Sequence, residues 1–296
     1  WYMVLASFFF SLMSVLVKAS GLHLPPQELV FFRSIFVAAF TLVWIRQKRL
    51  PWLGRNRGLL FLRGLFGYLA LSAFFYTLTH IPIADSVMLQ YTNPLFAALL
   101  SPLLLKERNT ARDWRYFALA FAGLLLIVRP GFSVQAGAAV VGLLGACSSS
   151  IAYILVRQLR KTDHELHIIL AFPVVSLIFS AAFVYRNFVL PRGWEWLMLA
   201  GIGATTMIAQ LFMTRALHLE RAARATNASY VAVVFSTLWG MLLWGEVPGW
   251  PTVLGGLIVI VAVVRLATGM ALTTGADEAT RMAESGDPLV ENNRKA

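Results

Sequence analysis

Arg33 lies about five residues into the apolar run Glu28–Ile45, roughly 7.5 Å along a helix from its start. A guanidinium at that depth is costly unless it faces protein or snorkels to the surface. Its planar fork suits a carboxylate or phosphate, and the structural alternative is pairing with Glu28 or with backbone carbonyls. Gln90 and Asn93 stand one helical turn apart in SVMLQYTNPLFAALLSPLLLKE, Ser86–Glu107, where neutral amides serve either a ligand or a neighbouring helix. Gln210, beside Thr205 and Thr206, repeats that chemistry, and Ser229 occupies the place of Gln90 in a later copy of the pattern. Tyr76, Tyr153 and Trp239 offer aromatic surface to a ring or a cation, or else simply pack.

Lys18 closes the stripe Ser7, Ser11, Ser14, Lys18, and Arg157 closes the matching stripe Ala146, Ser150, Tyr153, Arg157. Their placement marks them as gate residues or as cations that snorkel to headgroups. Pro94 and Pro102 each remove a helical donor and crowd the carbonyl four residues back, so both read as helix-bending positions beside a cavity. Other chemistries lack their residues. His80, His164, His167 and His218 show no metal-ligand spacing, and the single cysteine, Cys147, excludes an intrachain disulfide and a cysteine metal cluster. Glu28, Asp85, Asp113, Glu195 and Glu220 fall at helix ends or in loops, which argues against a sodium site or a carboxylate proton relay. No catalytic set or Walker-type glycine loop is visible, and neither cofactor nor metal is expected.

The elements that carry these residues are membrane spans. The chain has 296 residues, 58% of them hydrophobic and 13% charged, with a mean hydropathy of +0.71, too apolar for a soluble surface. Apolar runs predict helices near Tyr2–Ala19, Glu28–Ile45, Leu59–Leu78, Ser86–Leu105, Asp113–Arg129, Gly137–Val156, Leu166–Tyr185, Trp196–Ala216, Ala225–Trp244 and Trp250–Ala267. The net charge of +11 lies in short loops, where it sets orientation; nucleic acid is not the expected partner. Loops after even-numbered helices plus the tail hold twenty Lys and Arg against four on the other side, which predicts both termini in the cytoplasm. Trp1 opens inside an apolar run, so the natural start is expected upstream or trimmed, and no signal peptide is seen.

A shift of 139 positions carries Glu107 to Glu246, Tyr91 to Tyr230, Phe96 to Phe235, Ser11 to Ser150 and Lys18 to Arg157. Each half then has five helices, and an odd number makes the halves inverted repeats, an arrangement many secondary transporters use. The expected organisation is an all-α integral membrane protein of ten helices, with repeats at 1–131 and 132–272 and a disordered cytoplasmic tail at 273–296.

Arg33 in the second helix, the run Ala84…Pro94-Leu95-Phe96…Glu107 and its echo Ala223…Phe235…Glu246 carry a resemblance. The chain resembles the ten-helix drug/metabolite transporter superfamily, EamA type, across Trp1 to about Ala267. The resemblance implies movement of amino acids and derivatives, nucleotide-like metabolites or organic cations. Val233 and Gly240 replace the two prolines in the second copy, so the halves are not equivalent at the cavity. The reading is a secondary carrier of small polar metabolites, foremost amino acids or derivatives, with export favoured, in a bacterial inner membrane and compatible with a homodimer. The alternatives are an importer of nucleotide-like or sulfonium metabolites such as S-adenosylmethionine, and a channel, a scaffold or a lipid-modifying intramembrane enzyme.

Overall fold

The computed structural model describes residues 1–52, 54–93, 95–97, 99–100, 111–128, 134–219, 231–262 and 264–265. Among them the regular structure is helical, without strands: α1 (Tyr2–Ser20), α2 (Pro26–Gln47), α3 (Arg57–His80), α4 (Ile83–Gln90), α5 (Ala111–Val128), α6 (Val134–Leu159), α7 (Glu165–Asn187), α8 (Glu195–Leu219), α9 (Val231–Trp244) and α10 (Trp250–Ala262). Helical backbone also resumes at Asn93, beyond α4. Six helices contain stretches long and apolar enough to cross a membrane, and α9 and α10 are shorter apolar helices. The predicted tail at 273–296 lies outside the described residues.

Local sequence explains most boundaries. Pro26 opens α2, where its missing N–H costs nothing and its fixed φ suits a helix. Asn56 caps α3, its side chain accepting from the Leu59 amide at 3.2 Å. His164 caps α7 in the same way, through Leu166.

The fourth helix departs from expectation. It begins at Ile83 rather than Ser86, because the Ile83 amide, an orphan donor of the first turn, reaches a carboxylate oxygen of Glu246 at 3.0 Å. A residue 163 positions away thus extends the helix. It is also interrupted rather than merely bent. The Thr92 amide donates to Leu89 at 3.1 Å, three residues back, and the Thr92 carbonyl accepts from Leu95 and Phe96 as the helix restarts. The interruption falls where a proline at 94 excludes the usual partner of the Gln90 carbonyl.

The bundle is held by close helix pairs: α3 on α6, α1 on α8, α2 on α7, α3 on α7, α2 on α8, α1 on α9, α4 on α6 and α4 on α9. One buried cluster joins α1, α2, α3, α4, α8 and α9 through residues such as Val17, Leu29, Phe75, Val87, Ile202 and Val233. A second joins the end of α3 with α4, α5, α6 and α10 around Leu89, Phe117, Ala139 and Val259. Large apolar residues such as Phe40, Phe121, Ile178 and Leu257 remain exposed, as a surface solvated by lipid requires.

Candidate functional site

Arg33 sits on α2 with only 4% of its surface exposed. Its Nε donates to the Thr206 hydroxyl of α8 at 3.3 Å, and its guanidinium carbon lies 5.3 Å from the centre of the Phe172 ring on α7. Its Nη1 is buried without a hydrogen-bond partner. The suspected partner Glu28 is engaged elsewhere: one oxygen accepts from the Val189 amide at 3.1 Å, and the other is itself buried and unpaired.

Arg63 is the residue that sequence reading missed, although it falls inside the predicted helix Leu59–Leu78. The structure places it two turns inside α3. Its guanidinium carbon is also 5.3 Å from the Phe172 ring centre, and its Nε is buried without a partner. Among the described residues no carboxylate comes within 4.0 Å of either arginine. Holding two cations beside one ring away from water is unfavourable without a counter-anion. Gly67, one turn after Arg63, makes the approach possible: a Cβ there would lie 2.4 Å from Arg63 Nη1 and 2.8 Å from the Phe172 ring.

These groups border a cavity of about 70 Å³ lined by Arg33, Thr41, Arg63, Phe172, Gln210 and Leu211, among others. Pro173 lies inside α7 immediately after Phe172 and removes a helical donor to Ile169, another residue of the cavity wall. That internal proline was a signal in the sequence that the reading above left unused.

The remaining candidates divide among other places. Gln90 Nε2 and Asn93 Nδ2 converge on the Ser149 hydroxyl of α6 at 3.3 and 3.4 Å. The neighbouring Ser150 hydroxyl turns back to its own helix through Cys147, so packing selects Ser149 from the run of three serines. Tyr153, one turn further along α6, is half exposed and lies near Arg63. Trp239 Nε1 donates to Ser11 at 3.2 Å, joining α9 to α1. Tyr76 stacks on His80, 3.9 Å between centroids at the end of α3, and does not meet the arginines. Pro94, Pro102 and Ser229 lie outside the described residues, as does the side chain of Arg157.

Lys18 ends α1 in an ion pair with Glu246. Its ammonium also donates to the Ile81 carbonyl at 3.1 Å and lies 5.6 Å from the Trp244 ring. Glu246 is turned back toward α9 by Gly245, whose φ of 65° is readily adopted by glycine, and its amide donates to Gly240 at 3.0 Å. One carboxylate therefore ties the ends of α1 and α9 to the start of α4.

A bundle of apolar helices with two buried arginines bordering a cavity is the architecture of a polytopic membrane protein. The EamA-like transporter family model matches residues 1–129 and again 136–268, and the chain belongs to that family. It is 36% identical over 265 residues to the pseudopaline exporter CntI of Pseudomonas aeruginosa, covering 89% of this chain and 93% of the relative. It is 28% identical to solute carrier family 35 member G1 of Mus musculus, covering 88% of this chain and 76% of that protein. One solved crystal structure superposes with a TM-score of 0.61 at 22% identity, spanning 92% of this chain and 98% of the other, a likeness of fold.

Proposed function

We propose that the protein is a secondary carrier of small polar metabolites bearing an acidic group, foremost amino acids or their derivatives, with export the favoured direction. The observation that carries this reading is Arg33, buried at the cavity with Nη1 unpaired and no carboxylate beside it among the described residues. A guanidinium in that state is completed by an incoming anion. Kinship with a protein named a pseudopaline exporter supports export of a metabolite. Two buried arginines disfavour a sulfonium cation as substrate.

The carrier works by alternating access of two inverted repeats, 1–131 and 132–272. Pairing of helices supports this arrangement: exchanging each helix with the one five places on turns α3–α6 into α8–α1, α3–α7 into α8–α2 and α4–α6 into α9–α1, and leaves α2–α7 and α4–α9 unchanged. The double match of the family model agrees with it. With both termini cytoplasmic in a bacterial inner membrane, the Lys18–Glu246 contact closes the outer side and the arginine cavity is served from the inner side.

Liposomes preloaded with one unlabelled amino acid at a time test the reading through counterflow of the labelled form. Saturable counterflow in the wild type, reduced at least tenfold in Arg33→Ala, is the expected result. Full counterflow in Arg33→Ala would make the arginine structural. Flux without saturation or counterflow would make the protein a channel.

A further inference from the structure

Arg63 changes what the cavity asks of its ligand. Arg33 and Arg63 reach Phe172 from different helices, each with a buried N–H lacking a partner, and both border the same cavity. An arginine guanidinium keeps its charge under all ordinary conditions, so neither residue is relieved by losing a proton. A ligand with one carboxylate completes one guanidinium and leaves the other buried and uncompensated. A ligand with two carboxylates completes both, while its carbon chain lies against the Phe172 ring between them.

We propose that the two arginines form a two-armed anion site, and that the preferred substrate carries two carboxylates, one for each guanidinium. This rests on the carrier reading above and narrows its substrate class to acidic amino acids and related dicarboxylates. Arg33 anchors the carboxylate that all amino acids share, and Arg63 selects the second acid.

The test compares L-glutamate with L-glutamine, which differ chiefly in the charge of one terminal group. Counterflow in liposomes would be measured for wild type, Arg63→Gln and Arg63→Lys, and thermal unfolding of each purified protein would be followed with glutamate, glutamine or inorganic phosphate added. Wild type is expected to carry glutamate at least tenfold faster than glutamine and to be stabilised more by it. Arg63→Gln should bring the two to near parity through a larger loss for glutamate than for glutamine, and Arg63→Lys should retain part of the preference. A cooperative thermal transition without ligand shows that each variant is folded.

Equal transport of both by the wild type, or an equal loss of both in Arg63→Gln, overturns the two-armed site while leaving a carrier in place. Larger stabilisation by phosphate than by glutamate also overturns it, in favour of a single dianionic group bridging the arginines. If neither amino acid is carried but glutamate stabilises wild type and not Arg63→Gln, the amino-acid carrier reading fails and the site stands. Silence in both measurements overturns both.

Discussion

At the scale of single residues, the site is a matter of which polar atoms find partners. Gln90 and Asn93 each give an amide N–H to Ser149, and the Trp239 N–H has Ser11, so those donors have partners within the protein. Arg33 and Arg63 each keep a buried N–H that is not, and the asymmetry assigns ligand chemistry to the arginines first. Arg33 was legible from sequence as a lone deep cation. Arg63 falls inside the predicted run Leu59–Leu78 but near its start, where a cation reads as one that snorkels to the surface, and only the packing of α3 on α7 turns it to Phe172. Gly67 is the residue-scale prediction. Gly67→Ala places a methyl against Arg63 Nη1 and the Phe172 ring, and of the two the guanidinium is the far end of a flexible side chain, so it is displaced rather than the helix. We expect counterflow to fall several-fold with the unfolding temperature little changed, to be read by comparing transport with a thermal melt.

At the scale of elements, helix ends are joined by carboxylates. Glu246 holds α1, α4 and α9 together. Removing one partner in Lys18→Met or Glu246→Gln should cost about 2 kcal/mol, the scale of a charge-assisted hydrogen bond. Both variants should lose counterflow, and the exchange Lys18→Glu with Glu246→Lys should recover part of it. At the opposite end of α3, Asp163 accepts from the amides of Arg55 at 2.5 Å and Asn56 at 3.3 Å, and from the Thr162 hydroxyl at 2.8 Å, joining the α6–α7 connection to the α2–α3 connection. Burial pushes the Asp163 carboxyl up, but these hydrogen bonds and nearby His167 outweigh it and hold the group below its ordinary value of 3.8. A depressed value means that the stabilisation is fully present above 3.8 and is lost as pH falls through the lower folded value. Asp163→Asn should therefore melt earlier than wild type at neutral pH, and the gap should close as the pH is taken below 3.8, as thermal unfolding across that range would read.

At the scale of the whole molecule, the two ends are tied by related devices. Beside the Glu246 contact, the α1–α2 connection meets the α7–α8 connection through His23 and Glu195, 3.1 Å apart, and through Glu28 and the Val189 amide. The Asp163 clasp joins the α6–α7 connection to the α2–α3 connection, which is the same contact with each helix advanced five places. Such a correspondence is the one expected of the inverted repeats we propose. The orientation we propose puts the α1–α2 connection outside and the α6–α7 connection inside. In a Cys147→Ser background, Leu22→Cys should be labelled in intact cells by an impermeant thiol reagent and Lys161→Cys only after the cells are opened. The reverse pattern would invert the topology.

Hydropathy was enough to read an apolar helical membrane protein from sequence, because a lipid environment demands long apolar runs and helical backbone bonding wherever the chain crosses, and the resemblance carried by Arg33 and the runs Ala84–Glu107 and Ala223–Glu246 pointed to the family. Sequence also marked Arg33, Gln90, Asn93, Gln210 and Lys18 as polar residues in costly places. It could not say which partner each would find, since partnership depends on helix rotation and on contacts between residues far apart in the chain. Only the tertiary structure brought Arg63 of α3 to Arg33 of α2 across Phe172, chose Ser149 from three serines, moved Tyr76 away from the site and sent Glu246 to start α4. Apolar runs constrain where a helix lies; what its polar face meets is decided by packing.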